Sequence, residues 1–141
     1  MTESEIENDL SDIVSEDDLQ VKLDNITNGW VSKSIGVESV DPILKFMEDH
    51  SLWDFGTPGP LVHFVERFYG NGYELRLVES LKRRPTAHTV WMLNRIINGE
   101  KNAEKKKYFL DVMKDAKSNV LTDQAASVQI DRFLRLHPES Q

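Results

Sequence analysis

The side chains able to do chemistry are few and scattered. Histidine occurs at 50, 63, 88 and 137, and cysteine is absent. Without cysteine there is no thiolate nucleophile, no disulfide and no sulfur ligand for a metal cluster. His63 and Glu66 stand three residues apart, on one face of a helix, which is half of a carboxylate–histidine metal site. No second such pair occurs and the HExxH pattern is missing. A metal site needs at least three convergent ligands, so a surface histidine is the plainer reading and no metal is expected. Gly70-Asn71-Gly72 lacks the third glycine and the leading strand of a dinucleotide loop, and reads as a helix connector. Phosphate-loop and nucleophile-elbow patterns do not occur, so no cofactor is expected. Arg83 and His88 are the sharpest enzymatic pair. A guanidinium can hold a phosphate and an imidazole can move its proton. Pro85 lies between them, and the plainer reading is a helix-end cation followed by a first-turn histidine.

Charge is distributed unevenly. The 141 residues carry a net charge of −7. Residues 1–54 hold 14 acids and three bases, whereas residues 55–141 hold ten acids and 14 bases. The first 18 residues have eight acids and no base. Such a field attracts a basic partner and repels nucleic acid; an acidic solubilising tail has the same composition. Lys82-Arg83-Arg84 and Lys105-Lys106-Lys107 read as solvated helix ends or internal partners for acids, and Tyr108 and Phe109 as core. Of the three tryptophans, Trp91 falls within a helical stripe. Trp30 and Trp53 flank irregular segments, and Trp53-Asp54-Phe55 joins an aromatic body to a carboxylate beside a rigid turn. That combination suits either an interface anchor or a lid over the core.

The elements that must position these residues have a helical period. Thr2-Glu3-Ser4-Glu5 has capping-box form, and Ile6, Leu10, Ile13 and Val14 follow at helical spacing. Ser15-Glu16-Asp17-Asp18 opens a second segment with Leu19, Leu23 and Ile26 on one face, and Asn28-Gly29 is expected to stop it. Residues 30–40 suit a short strand or an ordered loop. Asp41-Pro42 reads as N-cap and first helical residue, followed by Ile43, Leu44 and Met47. Phe55 to Pro60 holds two glycines and two prolines, which forces a tight turn, with Thr57 as cap and Pro58 or Pro60 as helix start. Five helices are expected between 57 and 137, punctuated by Gly70-Asn71-Gly72, Pro85, Asn98-Gly99 and Thr122-Asp123. The expected class is all-α: an irregular antiparallel helical bundle, or a short α-solenoid-like stack, of about seven helices. Length fits one domain over 1–141, with residues 1–14 a short acidic helix or a frayed segment. No apolar run approaches a membrane span, and the acidic start has no basic or apolar leader region, so a cytoplasmic chain is expected.

Two family resemblances bear on function. Arg-x4-His at Arg83 and His88 resembles the pair used by helical HEPN ribonucleases. Residues 53–63, Trp-Asp-Phe-Gly-Thr-Pro-Gly-Pro-Leu-Val-His, and residues 84–95, Arg-Pro-Thr-Ala-His-Thr-Val-Trp-Met-Leu-Asn-Arg, together resemble immunity proteins of bacterial contact-dependent growth inhibition and related polymorphic toxin systems. This second resemblance covers about residues 50–98, a third of the chain. It implies a non-catalytic cytoplasmic protein that forms a heterodimer with the C-terminal toxin domain of its own system and blocks it. Such toxins are often nucleases and frequently basic. It implies no nucleic-acid, membrane, metal or cofactor partner. Its shared residues (Gly56, Pro58, Gly59, Pro60, Pro85 and Trp91) look like scaffold. With a basic nuclease as target, charge and position nominate Asp17, Asp18, Glu48, Asp49 and Asp54 as contacts and Trp30, Trp53 and Phe55 as anchors. A non-catalytic helical adaptor is the remaining alternative.

Overall fold

Proline and glycine divide the chain into helices. The computed structural model describes residues 3–140; the expected cap at Thr2 lies outside them. The described residues form eight α-helices and two short 3-10 turns, so the protein is all-α. The helices are α1 (Glu3–Ser11), α2 (Leu19–Ser32), α3 (Val40–Asp49), α4 (Pro60–Glu66), α5 (Tyr73–Arg83), α6 (Ala87–Gly99), α7 (Ala103–Lys117) and α8 (Gln124–Leu136). No helix among them is long and apolar enough to cross a membrane. They pack as two compact units, and the boundary between Arg76 and Leu77 falls inside α5.

In the first unit α1 packs on α3 and α2 on α4. Asn28-Gly29 does not stop α2, which continues to Ser32. Glycine inside a helix costs about 1 kcal/mol relative to alanine. Continuing the helix buries Trp30, worth about 1.5–3 kcal/mol by area alone. The Trp30 ring stands 5.2 Å edge-on to Phe64, and its Nε1 donates to Asp9 Oδ2 at 2.9 Å. The helix ends where Ser34 turns left-handed, with φ of 53°. Residues 30–40 therefore form no strand. They close α2, pass through a 3-10 turn at Val37–Ser39 and enter α3 at Val40. Ser39 rather than Asp41 takes the N-cap position, and Pro42 sits in the first turn, where its missing N–H has no helical acceptor to lose. Asp41 instead pairs with Arg76.

The tight turn before α4 also differs from expectation. Gly59, not Thr57, precedes Pro60, the first residue of α4. Gly59 has φ of 84°, and a Cβ there would lie 1.7 Å from the Phe55 carbonyl oxygen. Only glycine fits this turn, which folds the chain back over Phe55.

In the second unit α6 packs on both α7 and α8, which pack on each other. The start of α6 is a reciprocal capping box: Thr89 N–H donates to Thr86 Oγ1 and Thr86 N–H donates to Thr89 Oγ1, both at 3.0 Å. Both residues are fully buried, and such a cap contributes about 1–2 kcal/mol. Asn102 and Asp123 cap α7 and α8 through their side-chain oxygens. Phe109 is buried as expected, but neighbouring Tyr108 is 45% exposed. The basic runs find local acids: Lys106 meets Glu139 at 2.7 Å, Lys107 meets Asp111 at 3.1 Å and Lys82 meets Glu79 at 3.9 Å.

His137 closes α8 and is buried. Its Nε2 donates to Asn94 Oδ1 at 2.9 Å, and its Nδ1 lies 3.8 Å from Glu139. Burial lowers the imidazole below its ordinary value, with Lys106 assisting and the Glu139 carboxylate opposing. The Lys106 hydrogen bond holds the Glu139 carboxyl below the usual range. A lowered histidine favours the neutral ring in the fold. Its stabilisation is complete above the unfolded value near 6.5 and is lost as pH falls through the folded value. Stability should therefore decline between pH 7 and pH 5, by no more than about 1.4 kcal/mol per pH unit from this group. His137→Gln keeps a donor for Asn94 without titrating, and urea unfolding across this range should show a flatter profile for it.

Candidate functional site

The first unit gathers its carboxylates at the entry to α2. Ile13 and Leu19 are turned inward by backbone bonds to Leu10 and Glu16, while the intervening Asp17 and Asp18 stay exposed. Asp18 is left-handed, with φ of 53°, and its carboxylate does not cap α2. That leaves the charge at the surface, beside the positive end of the helix dipole. Two long-range hydrogen bonds bring the 50–59 loop to this corner. Asp54 N–H donates to Glu16 Oε2 at 3.1 Å, and Gln20 Nε2 donates to the Asp54 carbonyl at 2.9 Å. Asp54 Oδ1 accepts from Gly56 N–H at 2.9 Å, which fixes the carboxylate on the loop. Glu16, Asp18 and Asp54 then line one shallow hollow together with Val21, which is 60% exposed.

The neighbouring aromatic platform is Trp53. Its half-buried ring stacks on His50, with centroids 3.8 Å apart and planes 21° from parallel, and meets Phe46 edge-on at 5.9 Å. Asp49 is exposed one turn along α3 from Lys45, whose Nζ is 3.3 Å away. Such an exposed pair adds about 0.3–0.5 kcal/mol.

Of the residues nominated as partner contacts, Asp18 and Asp54 converge, Asp17 is exposed next to Asp18 in the chain but does not line their hollow, Asp49 lies in a separate groove with His50, and Trp53 is partly open. Three nominations are corrected. Trp30 is 1% exposed, Phe55 is fully buried and Glu48 is 2% exposed, so none of them offers a surface to a partner. Trp30 lies inside the prolonged α2, Phe55 is folded under the Gly56–Gly59 turn, and Glu48 falls one turn after Leu44 on the inward face of α3. Sequence reading missed Glu16 and Gln20, whose bonds to Asp54 span 38 and 34 residues and leave no local signature. It also placed Val14 in a helical stripe. Because α1 ends at Ser11, Val14 sits in the following turn, 82% exposed.

The catalytic alternatives have this geometry. Arg83 is the exposed last residue of α5, and His88 lies half-buried in the first turn of α6, across the Pro85 break, with its ring 5.4 Å from Trp91. His63 is exposed, and Glu66 accepts from the Tyr69 hydroxyl at 3.0 Å. Among the described residues no group of three or more His, Asp or Glu side chains is placed to hold a metal ion. No protein-family model, curated protein or solved structure matches the chain.

Proposed function

We propose that this protein is a non-catalytic inhibitor of the immunity type, which binds a basic toxin domain, a nuclease, in the bacterial cytoplasm. The observation that supports the reading is the convergence of Glu16, Asp18 and Asp54 on one exposed corner of the first unit, with exposed Val21 beside them. Carboxylates fixed in this way meet the cations with which a nuclease holds phosphate. They accelerate encounter, and apolar contacts then set the residence time. The resemblance of residues 53–63 and 84–95 to immunity proteins points in the same direction.

The test is co-expression with the toxin domain encoded immediately upstream, with growth and co-purification as readouts. The expected result is restored growth and a salt-sensitive complex. Absence of both rejects the reading. If Arg83→Ala or His88→Ala abolishes an RNA-cleaving activity of the chain itself, the ribonuclease alternative replaces it. An upstream gene that encodes no toxin favours the adaptor.

A further inference from the structure

The core uses only one side of α8. Ala126, Ile130 and Phe133 are buried where α8 packs on α6 and α7, and one such stripe is all that a surface helix needs. The opposite side is partly apolar as well. Val128 is 53% exposed and Leu136 63% exposed, about 12 Å apart along the helix axis. Leu121, in the turn before α8, is 55% exposed. Arg132 and Arg135 stand between Val128 and Leu136 on the same exposed side. Among the described residues neither guanidinium meets a carboxylate, and Asp131, the one acid of α8, is bound to Lys117 at 2.6 Å. Exposed apolar side chains with unneutralised charge of one sign between them mark a surface for another polypeptide. Phe133 is the one aromatic of α8 and is buried, so the face offers no ring on which a nucleic-acid base could stack.

The complementary surface is carried by the chain itself. Residues 1–76 hold 16 acids and five bases, whereas residues 77–141 hold eight acids and 12 bases. At the entry to α2, Asp18 and Asp54 line a hollow with Val21, which is 60% exposed, and among the described residues no cation meets either carboxylate. Acids around an exposed valine are the inverse of arginines between an exposed valine and leucine. We propose that the outer face of α8 docks on the acidic corner of a second copy of this chain, with Arg132 and Arg135 toward Asp18 and Asp54, and Val128 and Leu136 toward Val21. The contact joins unlike surfaces, so it runs head to tail. A basic partner would be repelled by the two arginines, and α8 laid on α8 would set arginine against arginine. The proposal goes beyond the inhibitor reading and stands without it. Where that reading holds, toxin and second copy compete for one corner.

The experiment is sedimentation velocity of the full chain over a series of concentrations. At low salt the average mass should rise with concentration. At 1 M salt, where the screening length is about 3 Å, it should fall back toward that of the monomer. Arg132→Glu with Arg135→Glu should weaken the association at least about tenfold. Val128→Lys, which keeps both arginines, should weaken it too. Lys105→Glu with Lys114→Glu makes the same change of charge at two exposed positions of α7 and should still associate. The variant Asp17→Lys, Asp18→Asn, Asp54→Asn should not associate on its own. Mixed with the Arg132→Glu, Arg135→Glu variant it should, because one protein supplies an intact α8 and the other an intact corner, and that recovery also shows that both variants fold. The proposal is overturned if the wild type stays monomeric throughout, if the corner variant associates as the wild type does, or if the mixture stays monomeric. A monomeric chain that binds a labelled oligonucleotide through Arg132 and Arg135 would overturn it by giving the face to nucleic acid. None of these measurements involves the toxin, so the failure of this proposal and the failure of the inhibitor reading are separate results.

Discussion

Replacing Trp30 with alanine is expected to lower the unfolding free energy by about 3–5 kcal/mol. This is a large share of the roughly 5–15 kcal/mol that holds a domain together. Three losses combine. The indole is 1% exposed, so its removal opens a cavity in the first unit. Phe64 loses the ring that meets it edge-on at 5.2 Å. Asp9, on α1, loses the donor that reaches it from α2. Trp30→Phe keeps one ring of the apolar body but loses the indole N–H and part of the ring volume, so about 1–2 kcal/mol is expected for it. Trp53→Ala removes a half-buried ring from its stack on His50 and should cost about 1 kcal/mol. Urea unfolding followed by far-ultraviolet circular dichroism separates the three. Equal midpoint shifts for the Trp30 and Trp53 alanine variants would refute this division of a core tryptophan from a surface one. A Trp30→Ala variant that folds normally and binds its partner poorly would restore Trp30 as an anchor.

The same residue marks the limit of what local patterns reveal. From Pro60 to residue 137 the helices are legible because punctuation and period agree there, whereas the cap expected at Thr57 is displaced to Gly59. Pro85 and Thr86 open α6, Asn98-Gly99 closes it, and Asp123 caps α8 where its spacing predicts. At Asn28-Gly29 punctuation and packing disagree. The weak helix penalty of one glycine yields to the burial of Trp30, which depends on Phe64 and Asp9, 34 and 21 positions away. No window of neighbouring residues contains that information. The candidate site divides in the same way. Its charge was readable from composition. The burial of Glu48 and Phe55 depends on how α3 and the Gly56–Gly59 turn are packed. The meeting of Asp54 with Glu16 and Gln20 depends on two hydrogen bonds that cross more than thirty residues.

Under the inhibitor reading, the convergence of Asp18 and Asp54, with Asp17 exposed next to Asp18 in the chain, makes a kinetic prediction. The variant Asp17→Lys, Asp18→Asn, Asp54→Asn raises the formal charge by four from −7 while sparing the backbone. Asparagine tolerates the left-handed geometry at 18, and its side-chain oxygen can still accept from Gly56 N–H at 54. The association rate with the basic toxin domain, measured by stopped flow at low salt, should fall about 10–100-fold, with a small change in dissociation rate. At 1 M salt the screening length is about 3 Å, so the two proteins should associate at nearly the same rate. A control shifts the charge by the same amount elsewhere: Glu104→Lys with Asp115→Lys alters two exposed acids of the second unit. If this control slows association as much as the triple variant, net charge is the cause and the corner is not the docking site. If only the triple variant is slow, the field is local. The two hydrogen bonds that hold the Asp54 loop against Glu16 and Gln20 then act on encounter rate by keeping the carboxylates of Asp18 and Asp54 together. Gln20→Ala, which removes one of those bonds without changing charge, should reproduce part of the loss.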